Sequence, residues 1–488
     1  MYTFAESWAR GLRLANALLA LGLVPGDRVG VLEDNSLEAA DLYVGAAAAG
    51  LVRVPLFARD TGTSHEQILR NTGCRALIAS AAYGEMAGAL RHAVPEVERL
   101  VVRDAEYEPW LAAHPADDPD VPTSLDDLLL IRHTGGTTGA PKGVAYTHRM
   151  WIRSFQDWFY RMPMMLPGDS FMHYAPISHG SGYCFLPAWI AGARNVLESR
   201  FDPATVLSQL VEERITHVAM VPTMLNLITR QWDGLERTFP DLRCLITGTA
   251  PISEPTVLAS RRLFGDVLYQ VYAQTEATPI AIMTPQEWFA AGPGGPQLRS
   301  AGRPAPFTEL QIRDPDTREV LPADAEGELA VRCDGQMTGY LNDQEATNAR
   351  LVDGFVLTGD IGRVDADGFV YVLDRRDDVI ISGGFNIWPV ELENAIESHP
   401  EVIEAAVFGV PDDTWGEAPH AVVRTAGASA LDARQVIALC AARLGSYKKP
   451  REVVFTDTPL PRSPIGKLRR LELRAPHWAG RERRVAGS

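Results

Sequence analysis

Up to about residue 276 the chain alternates two hydrophobic rhythms. AESWARGLRLANALLALG places apolar residues three and four apart, the spacing of an amphipathic core helix. GDRVGVLED reads as a short buried strand after a Pro-Gly turn, EAADLYVGAAAAG as a helix, and LVRVPLF as a strand. HEQILRNTG is helical and closed by glycine, and CRALIAS is again a strand. The rhythm resumes after residue 144. ATVLSQLVEERI, PTMLNLITR and PTVLASRRLFG read as helices; THVAMVP, LRCLITG and VLYQV read as strands. This alternation predicts an α/β fold with two doubly wound sheets.

The rhythm changes near Phe307. FTELQIRDPDT, GELAVRC and GFVLTGDIGRVDADGFVYVLD are strands joined by Gly/Asp turns, which predicts an antiparallel sheet or small β-barrel. After Asp374, VELENAIESHPEV (helix), EAAVFGVPD (strand) and ARQVIALCAARLG (helix) predict a small α+β unit of roughly 110 residues. The expected organisation is a large N-terminal domain over 1–374 and a small C-terminal domain over 378–488, with the boundary in the charged run DRRDD.

Composition narrows the function. The 488 residues are too many for one compact core, which agrees with two domains. A 46% hydrophobic and 22% charged chain is an ordinary globular one. The formal net charge of -16 argues against nucleic acid as partner. Cys74, Cys184, Cys244, Cys333 and Cys440 are scattered, with no C-x-x-C pair, so zinc clusters are excluded and a reducing compartment is expected. The apolar run LANALLALGLVPG is too short to span a membrane, and the expected location is the cytoplasm.

Four stretches carry chemistry. HTGGTTGAPKGV (133–144) concentrates glycines, the hydroxyls of Thr134, Thr137 and Thr138, and Lys142. Such a loop lets backbone N–H groups approach phosphate oxygens, although Gly143 after the lysine breaks the Walker A pattern. The alternative is a plain Gly-rich turn between LLLIRH and the helix after Thr147. YAQTEATP (272–279) sets Glu276 at the C-terminal end of a strand, where doubly wound sheets bind ligands. A carboxylate beside a phosphate loop suits Mg²⁺. In TGDIGRVDADGFVYVLDRRDD, Asp360 is expected in a tight turn and Arg375 after a strand, suited to ribose hydroxyls and a phosphate or ribose oxygen. LPRSPIGKLRR sets Lys467 on a short stiff loop near the C-terminus.

Together these stretches resemble the acyl-adenylate-forming superfamily, which holds acyl- and aryl-CoA synthetases, adenylation domains of nonribosomal peptide synthetases, and insect luciferases. TGGTTGAPKGV matches the family's phosphate loop. YAQTE matches Y-G-x-T-E with Ala273 for glycine, and Thr358, Gly359 and Asp360 match T-G-D. DRRDDVIISGGFNIWPVELE matches the arginine-and-hinge motif and PRSPIGK the terminal lysine motif. Five motifs in order span about residues 1 to 470.

The resemblance implies that Thr134, Gly135, Gly136, Thr137, Thr138, Gly139 and Lys142 hold the β- and γ-phosphates of ATP. Gly248, Thr249 and Ala250 line the adenine and carboxylate side. Tyr272 stacks on adenine, Thr275 contacts the α-phosphate and Glu276 binds Mg²⁺. Asp360 takes the ribose hydroxyls, supported by Arg375. Asp377 is the hinge, Lys467 bridges the carboxylate and α-phosphate, and Gly383 and Gly384 form a thiol tunnel.

The implied reaction joins a carboxylic acid to AMP with loss of pyrophosphate, then passes the acyl group to coenzyme A. His179 takes the family's gate position between ATP and the acyl site. Gly180, Met224 and Ala273 are expected to line the acyl pocket with it, and Trp151 either to wall that pocket or to belong to a core helix stripe, as His179 itself could simply pack. SFMHYAPISHG has no aspartate to hold an ammonium, so an aromatic, cyclic or medium fatty acid is expected rather than a free α-amino acid. Arg443, Lys448, Lys449 and Arg451 make a basic cluster that could meet the 3′-phosphate of CoA, the alternative for each one singly being ordinary surface charge. The alternatives are a carrier protein's pantetheine as acceptor and a non-catalytic acyl-nucleotide binder. A homodimer is a further expectation.

Overall fold

The computed structural model describes residues 1–58, 60–134, 141–156, 158–383, 385–425, 427, 429–462 and 468–479. The first helix, Phe4–Ala20, opens with a capping box in which Thr3 and Glu6 satisfy each other's backbone N–H groups. Its buried stripe includes Leu14 and Leu18 and packs on the helix Asp41–Ala48.

The first sheet contains β1 (Arg28–Glu33), β2 (Val52–Phe57), β3 (Cys74–Ser80), β4 (Arg99–Arg103), β5 (Leu128–Thr134) and β6 (Lys142–Thr147), in the order β4-β3-β1-β2-β5-β6. The first five are parallel and β6 runs antiparallel to β5. Helices cover both faces, so its inner strands read as continuous apolar runs. The second sheet contains β7 (Ser170–His173), β8 (Arg194–Leu197), β9 (His217–Ala219), β10 (Cys244–Gly248), β11 (Leu268–Tyr272), β12 (Ala281–Met283) and β13 (Arg303–Pro304). Its order is β13-β12-β11-β10-β9-β7-β8, parallel from β8 to β11 and antiparallel beyond. The second sheet reverses its winding direction once, after β8, and the first does so twice, after β2 and after β4; such switch points open crevices at the strands' C-terminal ends.

The third sheet is antiparallel: β14 (Thr308–Arg313), β15 (Gly327–Cys333), β16 (Leu351–Val352), β17 (Phe355–Val364) and β18 (Val370–Arg375). Its pairings run β14-β15-β17-β16, with β18 also on β17, so of the two expected forms they trace a sheet. A helix, Gln344–Arg350, lies between β15 and β16, where the sequence pattern suggested strands alone. The last unit holds β19 (Ile380–Ser382), β20 (Phe385–Ile387), β21 (Val402–Asp412), β22 (Gly416–Thr425) and β23 (Glu452–Thr456), with helices Pro389–Glu397 and Ala433–Leu444 on its own apolar core. It touches the second-sheet region where Arg230 donates to the carbonyl of Val402.

Candidate active site

The phosphate-loop motif is held by a hairpin. β5 and β6 pair Thr134 with Lys142 and His133 with Gly143, so residues 135–140 are the connection between two strands. The strand-to-helix turn read from the sequence is therefore a correction: β6 intervenes, and Thr147 caps the following helix by accepting from Met150 N. Gly135, Gly136, Thr137, Thr138 and Gly139 lie outside the described residues.

Lys142 Nζ sits 5.3 Å above the ring centroid of Tyr340. Tyr340 Oη donates to Glu276 Oε1 at 2.8 Å. The segment around Tyr340 is pinned to β6, where Leu341 N donates to the carbonyl of Gly143 at 2.7 Å. Thus Lys142 on β6, Tyr340, and Glu276 after β11 form a continuous line from the first sheet to the second. Glu276 is buried, and among the described residues it enters no ion pair. Burial and the nearby Glu276 carboxylate push the Tyr340 phenol up from its ordinary pKa. The neighbouring Thr275 is fixed through its carbonyl, which accepts from the buried Tyr146.

A second cluster forms at Asp360. Its place is a correction: Asp360 is inside β17, not in a turn, and β18 pairs it directly with Arg375. Arg375 Nε lies 2.8 Å from Oδ1. Gln274 Nε2 donates to Oδ2 at 2.6 Å, and Tyr272 Oη donates to the same oxygen. Thr358 is fully buried and donates to the Leu329 carbonyl at 2.8 Å, so the bend of β17 is fixed from below. Gly359 occupies the left-handed region at φ +67, and a Cβ there would meet Arg350 Nη1 at 2.8 Å. Burial and Asp360 raise the Tyr272 pKa well above its ordinary value.

Between these clusters lie the residues expected on the acyl side. Asn35, after β1, donates to the carbonyls of His173, Ala175 and Glu198 at 3.1–3.2 Å and accepts from Ile177 N at 2.8 Å. One side chain thus fixes the loop that delivers Ser178, His179 and Gly180. His179 Nδ1 meets Ser178 Oγ at 3.0 Å, and its ring packs edge-on against Phe57 at 5.0 Å. Burial, with Arg132 and His133 nearby, pulls its pKa down to about 3. The Thr249 side chain lies 3.8 Å from where a Gly180 Cβ would stand. Thr249 adopts φ +69, unusual for a β-branched residue, just after Gly248, whose Cβ would collide with the Val271 carbonyl. Ala250 follows it, half-buried beside the exposed Thr249. Ala273 packs with Ile246 and Val271.

Two expected pocket residues are not brought there. Trp151 is 1% exposed and packs against Tyr183, with Arg132 stacked 4.8 Å from its ring, so it belongs to the core. Met224 packs against the core on the opposite face of the second sheet. Both sit at helical spacings that core residues share.

The expected hinge is a single 3-10 turn, Arg376–Asp378, with the Asp377 carbonyl accepting from Arg474 at 3.2 Å. Asp374 just before it is buried, and burial raises its pKa to about 7 against the lowering effect of Arg470. Arg470 Nη2 lies 2.6 Å from Glu393 and its Nη1 3.2 Å from Asp378, which ties the C-terminal segment to the turn. Gly383 holds φ +59 against Trp415. Gly384 and Lys467 lie outside the described residues. In the basic cluster, Lys448 is paired with Glu391 at 2.5 Å and Arg451 lies over Trp415, while Arg443 and Lys449 remain exposed.

Residues 1–341 match the family model described as AMP-binding enzyme, and residues 391–467 match that of its C-terminal domain. The chain belongs to the AMP-binding enzyme family. A feruloyl-CoA synthase from Amycolatopsis sp is 36% identical, covering 97% of this chain and 93% of the relative. The long-chain-fatty-acid–CoA ligase FadD13 of Mycobacterium tuberculosis is 35% identical, with 98% and 93% covered. The crystal structure of ATP-bound MatB from Rhodopseudomonas palustris superposes with a TM-score of 0.88 at 28% identity, covering 97% of this chain and 93% of that one.

Within this AMP-binding enzyme, four residues escape motif reading. Gln274 fills the variable position of YAQTE, and only the fold shows it reaching Asp360. Tyr340 and Arg350 come from a segment without a chemical motif, yet they contact Glu276 and Gln274. Asn35 could be suspected as a polar residue after an apolar strand, but its partners lie about 140 residues away.

Proposed function

We propose that this AMP-binding enzyme is an AMP-forming acid–CoA ligase. A carboxylate attacks the α-phosphorus of ATP, the bond to pyrophosphate breaks, and an acyl-adenylate forms. The thiol of CoA then attacks the acyl carbon and AMP leaves. The observation that carries this reading is that one segment, residues 272–276, joins two built clusters: Lys142–Tyr340–Glu276 through Glu276, and Asp360–Arg375 through Tyr272 and Gln274.

In this reading Thr134, Lys142 and the intervening loop grip the β- and γ-phosphates. Asp360 exchanges its Tyr272 and Gln274 donors for ribose hydroxyls while Arg375 keeps it aimed. Tyr272 frames the adenine, and Gly248, Thr249 and Ala250 close the other side. Thr275 faces the α-phosphate. Glu276 suits Mg²⁺, because it is a buried carboxylate with only a phenol donor and no described ion pair. Magnesium held there together with substrate phosphates would screen the charge that opposes two approaching anions. Lys467 would supply the remaining positive charge next to the acid.

The domains in this reading are 1–374 and 378–488, swinging about 375–377 at Asp377. The swing withdraws Lys467 and presents Gly383 and Gly384 to the pantetheine arm. Gly180, Ala273 and the neutral His179 border the acid. Free CoA is the acceptor, with Arg443 and Lys449 rather than Lys448 or Arg451 available for its 3′-phosphate. The test is incubation with Mg-ATP, CoA and a panel of aromatic, cyclic and fatty acids, following AMP and thioester together. Thioester on a carrier protein but none with free CoA would overturn the choice of acceptor.

A further inference from the structure

The short helix Gln344–Arg350 starts on a side-chain cap, where Asp343 accepts from Ala346 N. Thr347 in its middle accepts from Tyr340 N at 2.9 Å, so the helix and Tyr340 are set as one piece. The helix ends on Arg350, a cation at the negative end of the helix. The guanidinium of Arg350 meets one member of each cluster of the site. In the Asp360 cluster, Nη2 donates to Gln274 Oε1 at 3.1 Å and to the Thr358 carbonyl at 2.7 Å. In the Glu276 cluster it faces Tyr340: burial and Glu276 raise that phenol's pKa, and the guanidinium opposes them. Room for Nη1 comes from Gly359, where a Cβ would stand 2.8 Å away.

A guanidinium only donates, so Gln274 turns its oxygen toward Arg350. The amide nitrogen is then aimed at Asp360 Oδ2, 2.6 Å away, and at the Thr358 carbonyl, 2.9 Å away. That carbonyl also accepts from Arg375 Nη1 at 3.2 Å. Gln274 is therefore held at both ends. When a ribose hydroxyl takes over Oδ2, the nitrogen keeps only its bond to Thr358, and the bond to Arg350 fixes the other end. Without Arg350 the side chain is free to swing back over Oδ2 and compete with the ribose.

We propose that Arg350 is a positioning residue for the nucleotide, acting through Gln274 on the contact between Asp360 and the ribose. This inference rests on the ATP site of the acid–CoA ligase reading and adds to it a residue outside the five motifs.

The experiment measures binding of ATP and of 2′-deoxy-ATP by calorimetry to the full-length protein, to Arg350→Met, to Gln274→Ala and to the double variant. The wild type should bind 2′-deoxy-ATP roughly tenfold more weakly than ATP, the worth of a hydrogen bond to a charged acceptor. Arg350→Met should weaken ATP about fivefold to tenfold and narrow that preference to less than about threefold. In the Gln274→Ala background the same change should alter ATP affinity less than about twofold, because Arg350 then has nothing to hold. Arg350→Lys keeps the charge and reaches only one of the two acceptors, so it should recover part of the loss. It also carries the cycle if Arg350→Met does not fold. Losses that multiply in the double variant, or that fall equally on both nucleotides, would overturn the inference. The expected pattern of binding in a protein that turns over no acid would support the role of Arg350 and overturn the ligase reading instead.

Discussion

Arg375 on β18 and Asp360 on β17 are direct cross-strand partners, with Nε 2.8 Å from Oδ1. Asp360 is 4% exposed and is held by this partner and by its hydrogen bonds from Gln274 and Tyr272. Asp360→Asn keeps the shape and removes the charge. We expect the KM for ATP to rise about tenfold to a hundredfold, the worth of hydrogen bonds to a charged acceptor. The KM for the acid should stay within about twofold. Steady-state kinetics with each substrate varied checks this, and equal changes in both constants would contradict the assignment.

Glu276 and Tyr340 make a graded pair. Glu276→Gln removes the proposed metal ligand, and kcat/KM should fall roughly 10²- to 10³-fold, with a higher magnesium requirement. Tyr340→Phe leaves the carboxylate and removes one hydrogen bond, so about a tenfold loss is expected. A magnesium titration of both variants separates the roles. A larger effect for Tyr340→Phe than for Glu276→Gln would count against Glu276 as the ligand.

His179 should stay neutral at every working pH. Burial, Arg132 and His133 hold its pKa near 3, below the ordinary histidine value of about 6.5. The unfolded chain therefore binds the proton more tightly, and the neutral ring's contribution to stability is complete above about pH 6.5. That contribution is lost as the pH falls toward 3. Histidine NMR of the protein should show a His179 ring with no titration between pH 5 and 8, and a midpoint near 6.5 would refute it.

Asn35 links the first sheet to the His179 loop through three donated hydrogen bonds and one accepted. Asn35→Ala would leave those backbone groups unpaired, at a cost of about 3 to 5 kcal/mol. Urea unfolding measures that loss. Below the unfolding midpoint the activity should also fall, because the loop carrying Ser178 and His179 is released; full activity with full destabilisation would show that the loop is held by other contacts.

The two parallel sheets were legible because helix and strand periods alternate, and because glycines such as Gly73, at φ +60, end helices where the pattern stops. Short strands were not. β6 hides in the Gly-rich motif it borders, and β19 and β20 are three-residue strands too brief to show a period. Asp360 was legible as a chemical residue but not as part of a strand, because Thr358-Gly359 reads as a turn and only the pairing with Arg375 reveals β17 continuing through it. Trp151 was misplaced in the acyl wall because a core stripe and a pocket wall have the same helical spacing.

The central claim is tested most directly by isotope exchange between pyrophosphate and ATP, without CoA. The protein with Mg-ATP should incorporate labelled pyrophosphate into ATP only when an aromatic, cyclic or fatty acid that it activates is present, and Lys467→Ala should abolish that exchange while still converting a supplied acyl-adenylate to thioester. Exchange that proceeds equally without acid, or that is absent with every acid while thioester still forms, would contradict an acyl-adenylate intermediate.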